Sequence, residues 1–268
     1  VYITGHIPPG FYPRTTPKQN GIPMYHQHFV EHFQSIVNNY SDVIIGQFYG
    51  HFHLDMFQIF EYKTGTSKGS SFIAPPVSPR YDDQSSYSLP VNPSVRLVRY
   101  STESGGLLDY TQFYLDLDTA NCKQKASYQP LYTFTETFGV PDLSTTSLTK
   151  AFIKLQTNSA MFNEFFRHLT ADKRTKFCNK DCKTSQLCSM CSFTNGGYNK
   201  CLMTGEGYYQ KYNFESPVND VLLYISVTLL VIVVALLMFI LYKGFWGSDR
   251  KGGKKDEEGE EKEEKRDK

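Results

Sequence analysis

Residues 40–60 read YSDVIIGQFYGHFHLDMFQIF, and residues 1–13 read VYITGHIPPGFYP. Residues 42–49 form a run of near-continuous apolar character, as expected of a strand buried on both faces. Residues 1–4 likewise predict a strand. Each strand hands over to a glycine followed by a histidine: Gly5-His6 in one case and Gly50-His51-Phe52-His53 in the other. Ligand sites of open α/β sheets gather beyond the carboxyl ends of strands. A glycine there lets the backbone turn sharply and bring an imidazole to a metal. A single Gly-His is weak evidence, but one followed about 45 residues later by Gly-His-x-His is specific. His6, His51 and His53 are therefore the candidate metal ligands. The other four histidines read as structural. His28 and His32 form an HxxxH pair without the glutamate of the HExxH zinc motif, and His26 and His168 carry no motif at all.

Outward from this core, residues 23–39 predict a helix with Phe29, Phe33, Ile36 and Val37 on one face. Residues 55–62 and 72–74 predict further strands. Residues 94–100 and 107–117 predict an antiparallel pair joined by Glu103-Ser104-Gly105-Gly106. After about residue 125 the pattern turns helical, over 143–156 and 159–169, with Ser144 and Ser159 near the helix starts. No internal repeat is evident.

Composition limits the function. The 268 residues carry 28 Lys+Arg against 27 Asp+Glu, a net charge of +1, so no nucleic-acid partner is expected. With 40% hydrophobic residues, 19 Tyr and 20 Phe, the body has ample material for a core. Residues 221–242 (VLLYISVTLLVIVVALLMFILY) contain no charge. That is long enough for a helix to cross a ~30 Å hydrocarbon layer. Tyr224, Tyr242 and Trp246 sit at the positions of interfacial aromatics. Lys243, Arg250, Lys251, Lys254 and Lys255 follow, so the positive-inside rule puts the tail in the cytoplasm and the body outside it or in a lumen. A GPI signal ends in its hydrophobic stretch, whereas here a charged tail, 243–268, continues. A core strand needs neighbours on both sides, so the chain is expected to continue upstream of Val1.

Five cysteines, Cys178, Cys182, Cys188, Cys191 and Cys201, cluster within two dozen residues, and Cys122 stands apart. Such clusters hold zinc or form disulfides. The C-x3-C-x5-C-x2-C-x9-C spacing lacks paired zinc-ribbon knuckles, and an oxidising compartment favours disulfides. Asn39-Tyr40-Ser41 is a glycosylation sequon; Asn92-Pro93-Ser94 is excluded by its proline.

The histidine motifs within VYITGHIPPGFYP and YSDVIIGQFYGHFHLDMFQIF resemble those of the calcineurin-like metallophosphoesterases. FIAPPVSP, NPSVRLVRY, LLDYTQFYLDLDTAN and the CNKDCKTSQLC pattern narrow the likeness to the acid sphingomyelinase-like phosphodiesterase family, over residues 1–205. The resemblance implies an α/β fold: the C-terminal half of a four-layer α/β/β/α sandwich over 1–125, then a helical disulfide-containing subdomain over 126–205. A stalk (206–220), one transmembrane helix (221–242) and the charged tail complete the expected organisation. It also implies two Zn2+ ions per intact site, bridged by a carboxylate and a solvent species. His6 and His51 would serve one ion and His53 the other. The family's Asp-x-His, Gly-Asp and Gly-Asn-His motifs do not occur in this sequence. Phe52 replaces the usual threonine of Gly-His-Thr-His. The family pattern implies Cys178–Cys182 and Cys188–Cys201 bridges and leaves Cys122 and Cys191 unassigned.

The function so implied is hydrolysis of a phosphodiester, such as sphingomyelin or a nucleotide, by attack of a metal-bound hydroxide on phosphorus. The isolated chain is expected to be inactive. The protein is expected to be a single-pass type I membrane protein, with its body at the cell surface or in a lysosomal or endosomal lumen. Two alternatives stay open: an endopolyphosphatase-like hydrolase, and a catalytically dead membrane-anchored binding protein on the same fold.

Overall fold

A computed structural model describes residues 1–13, 21–60, 68–80, 90–173, 178–204 and 228–239. The chain divides into two units, Val1–Tyr212 and Asn213–Lys268.

The first unit holds two sheets. Four strands, β1 (Tyr2–Thr4), β2 (Gly46–Tyr49), β3 (Met56–Phe60) and β4 (Gly69–Ile73), form a mixed sheet in the order β1-β2-β4-β3. β1 and β2 run parallel, as do β2 and β4, while β3 is antiparallel to β4. All five residues of β3 and all five of β4 are buried. The polar residues among them are satisfied within the core: Ser71 Oγ donates to Gln58 Oε1 at 2.9 Å, and Gln58 Nε2 donates to Pro9 O at 3.1 Å.

β5 (Ser94–Tyr100), β6 (Leu107–Tyr114) and β7 (Gln129–Thr133) form a second, antiparallel sheet in the order β5-β6-β7. β7 is a strand where the sequence predicts helix. Its Pro130 lacks an N–H, and β7 lies at the end of the sheet order, where a proline costs no interior ladder bond.

α1 (Gln27–Asn39) buries Val30 and Val37, with Phe33 partly covered. Phe29 and Ile36 are exposed, so the buried stripe is narrower than the predicted one. α2 (Leu117–Lys123) and α3 (Phe134–Phe138) are short. α4 (Thr145–Thr157) is capped by Ser144, whose side chain accepts from the Ser147 N–H. α5 (Ser159–His168) is capped by Asn158, one residue before the predicted Ser159. α6 (Lys180–Cys191) and α7 (Asn195–Thr204) follow. α6 packs on β3, and one hydrophobic core runs from Phe11 through the strands to Cys201. Within it Phe57 meets Phe134, Phe138 and Phe165 edge-on at 5.6, 6.1 and 6.3 Å.

Disulfides join Cys178 to Cys182 and Cys188 to Cys201, as the family pattern implies. Cys122 is exposed and Cys191 buried, and they are not joined. Asn39 of the sequon is exposed at the last position of α1. In the second unit, residues 228–239 are helical and exposed. No helix among the described residues is long and apolar enough to cross a membrane. The expected span 221–242 is thus described only over 228–239. Its flanks, the stalk 206–220 and the tail 243–268 lie outside the described residues.

Candidate active site

The two Gly-His segments meet because β1 and β2 are parallel neighbours, registered Tyr2 on Gly46 and Thr4 on Phe48. Parallel strands end on the same side of a sheet, so the residues after Thr4 and Tyr49 emerge together. Main-chain bonds continue the pairing into the loops: Gly5 N donates to Phe48 O and Gly50 N to His6 O, each at 3.0 Å. His6 Nε2 and His51 Nδ1 then stand 3.3 Å apart, with the rings near perpendicular at 80°.

His51 and His53 both have positive φ, 65° and 54°. The left-handed conformation disfavours residues with a Cβ by roughly 1–2 kcal/mol each, although histidine tolerates it better than bulky side chains do. Such a conformation persists where its surroundings over-determine it. Here Phe52 N donates to Gly50 O at 2.7 Å across the turn. Between the histidines Phe52 is 1% exposed and packs edge-on against Tyr12 at 5.5 Å. The Phe at the usual threonine position is thus a plug that roots the turn in the core. His51 and His53 remain half-buried and His6 exposed. Burial, and then the neighbouring His6, lower the pKa of His51, favouring the neutral ring that can donate a lone pair.

Two imidazole nitrogens on a tetrahedral zinc ion, each at 2.0–2.1 Å, stand about 3.3 Å apart. The His6–His51 separation and the neutral-ring bias fit that donor set. Among the described residues no group of three or more His, Cys, Asp or Glu side chains is assembled that could hold a metal, so His53 does not complete a cluster with the other two. His28 and His32 meet edge-on at 4.3 Å on the exposed face of α1. His26 is the residue before that helix, and His168 is buried at the end of α5.

The sequence motifs do not mark the polar group behind the turn. Asp55, two residues after His53, is 1% exposed. Arg96 Nη2 of β5 pairs with its Oδ1. Tyr132 of β7 donates to Oδ2 at 2.9 Å and Tyr110 of β6 to Oδ1 at 3.4 Å. Burial pushes the Asp55 carboxyl up, against the pull of Arg96 and the two phenols. Arg96 is held firmly charged by Asp55 and lies 3.9 Å over the Tyr110 ring. An aspartate entering an otherwise apolar strand, and an arginine inside SVRLVRY, were the available signals.

Residues 67–208, more than half of the chain, match the family described as the acid sphingomyelin phosphodiesterase C-terminal region. The chain is 34% identical over 218 residues to the cyclic GMP-AMP phosphodiesterase SMPDL3A of Homo sapiens, covering 80% of this chain and 46% of that protein. It is 30% identical over 203 residues to sphingomyelin phosphodiesterase A of Dictyostelium discoideum, covering 75% and 32%. With the acid sphingomyelinase-like phosphodiesterase 3b of Mus musculus it shares 27% over 208 residues, covering 75% and 44%. The chain thus spans less than half the length of these relatives. The family match and this run of relatives establish that the chain belongs to the acid sphingomyelinase-like phosphodiesterase family.

Proposed function

We propose that these residues form part of a zinc-dependent phosphodiesterase that acts outside the cytosol. The observation that carries the reading is the convergence of His6 and His51 beyond the ends of two parallel strands, in a chain whose relatives are named phosphodiesterases. His6 and His51 would hold one zinc ion and His53 a second. A zinc pair, when bound, supplies a water acidic enough to attack phosphorus near neutral pH and offsets the charge on the phosphoryl oxygens. The chain's own part is to hold the two imidazoles with ring nitrogens 3.3 Å apart, on a turn fixed by Phe52 and by the Gly50–His6 backbone bond.

The relatives' names cover both a sphingomyelin and a cyclic dinucleotide phosphodiesterase, and the reading stays at the class of phosphodiesters. Because Asp-x-His, Gly-Asp and Gly-Asn-His are absent from the sequence, these 268 residues alone lack the rest of the ligand set and are proposed to be inactive by themselves. Residues 221–242 are proposed as a membrane span, with the disulfide-bearing body on the non-cytosolic side.

The test uses the full-length protein, with zinc content and turnover of bis(p-nitrophenyl) phosphate as readouts. His6→Ala, His51→Ala and His53→Ala should each lower zinc occupancy and cut turnover by orders of magnitude. His26→Ala, His28→Ala and His32→Ala should do neither. Zinc and turnover retained in His6→Ala or His51→Ala would refute the reading.

A further inference from the structure

The Gly-His-Phe-His turn has two kinds of anchor. At its start, main-chain bonds tie it to the β1 end through Gly50 N and His6 O at 3.0 Å. At its exit the chain enters β3 through Leu54 and Asp55, which are 0% and 1% exposed. Asp55 N donates to Leu169 O, just past α5, at 3.0 Å. The Asp55 carboxylate is gripped from all three strands of the second sheet: by Arg96 of β5, Tyr110 of β6 and Tyr132 of β7. These partners also brace one another. With the Tyr132 proton on Asp55, the single Tyr110 proton lies between Tyr132 Oη at 2.7 Å and Asp55 Oδ1 at 3.4 Å, and Arg96 Nε donates to Gln112 Oε1 at 2.8 Å. Behind Tyr132, the His168 ring stacks at 4.1 Å and 3°.

A buried carboxylate held by a guanidinium on one oxygen and a phenol on the other has one orientation. An apolar residue at position 55 would fill the space without fixing a direction. Two residues upstream the backbone sits at φ 54°, and four upstream at 65°, conformations that an untethered chain leaves readily.

We propose that Asp55, Arg96 and Tyr132 are positioning residues: a clamp that locks the exit of the Gly-His-Phe-His turn to the second sheet and so keeps His51 in register with His6. Its link to metal binding rests on the zinc reading above. The clamp acts on His51 through the three intervening residues Phe52, His53 and Leu54.

The experiment compares Tyr132→Phe, which removes a single hydroxyl, and Asp55→Asn with Leu155→Ala, a cavity at a fully buried residue of α4 that lowers thermal stability without touching the turn. In metal-free full-length protein at one pH, the ring-nitrogen resonances of His51 and His53 should shift in Tyr132→Phe and Asp55→Asn and stay put in Leu155→Ala. Zinc affinity should fall at least tenfold in the clamp variants, and kcat by a similar factor, with KM within twofold. Tyr132→Phe keeps the test valid if Asp55→Asn does not fold. Unmoved resonances in Tyr132→Phe, or equal shifts in Leu155→Ala, overturn the clamp. So does an unchanged zinc affinity in variants whose resonances move. If His6→Ala and His51→Ala leave zinc binding intact, the zinc reading fails, and the metal-free resonances alone decide whether the clamp sets the turn.

Discussion

Acidification should destabilise the fold through one residue, His168. The ring is 1% exposed, and Arg167 Nη2 lies 3.0 Å from its Nε2. A guanidinium can only donate, so Nε2 must accept and the proton must sit on Nδ1. Nδ1 is buried without a hydrogen-bond partner. Tyr132 covers the ring face. Glu164, 3.5 Å from Nε2, and Asp172 favour the charged ring, but burial and Arg167 outweigh them. Together they bring the pKa from 6.5 down to about 4. Above pH 6.5 the ring is neutral in folded and unfolded chains alike, and this stability is fully present. Below that pH the unfolded chain takes up a proton that the folded one refuses, and stability is lost until the folded ring also titrates near pH 4. At 1.36 kcal/mol per pKa unit the full loss is about 3 kcal/mol, of which about 2 kcal/mol is gone by pH 5. His168→Phe keeps a flat ring against Tyr132 and removes the titration. Urea unfolding followed by far-ultraviolet circular dichroism at pH 7.5 and 5.0 measures both proteins. Carboxylates contribute the same background to each, so the wild type should lose about 2 kcal/mol more than His168→Phe. Equal losses would refute the assignment of this acid sensitivity to His168.

Mass mapping of unreduced peptides should recover Cys178–Cys182 and Cys188–Cys201. Breaking the second bridge by Cys201→Ser should cost about 3 kcal/mol and breaking the first about 2 kcal/mol, because the second closes the longer loop; free thiols at all four positions would contradict both. For topology, protease outside sealed vesicles with the cytosolic face outward should remove only the tail beyond residue 242, and cleavage of the disulfide-bearing body from that side would reverse the proposed orientation.

The strands around the histidine motifs were legible because their signal is local: a buried apolar run followed by a glycine turn. The antiparallel pair β5–β6 was legible for the same reason, with its Gly-Gly connection. β7 was not, because Gln129 and Pro130 have little strand propensity and only pairing with β6 makes them one. Alternation in SVRLVRY shows that Val95 and Leu97 share one face and Arg96 the other, and composition would turn the apolar pair inward. The structure does the reverse: Leu97 is 65% exposed while the Arg96 side chain is 7% exposed. The reason lies about 40 residues away, in a carboxylate whose burial requires a cation. The helical stripe failed in a similar way, since α1 buries Val30 and Val37 but leaves Phe29 and Ile36 exposed. Motif spacing could name His6 and His51, but their 3.3 Å approach depends on the parallel register of β1 and β2.

The packing of α6 and α7 has a consequence for biogenesis. Ser185 Oγ donates to Pro13 O across 172 residues, and Phe11 stacks on Tyr198 at 4.1 Å. The segment that carries His6 is therefore made well before the helices that become its final neighbours. At roughly 5–20 residues per second, a ribosome needs about 10 to 30 s to span that interval. During this time Phe11 lacks its stacking partner Tyr198, although β1 can pair with β2 much sooner. Contacts of such high sequence separation also slow the folding search itself. Newly made chains should therefore depend on chaperones that shield the segment around Phe11, and a stop codon between this segment and α7 should leave a product that is retained and degraded rather than merely truncated.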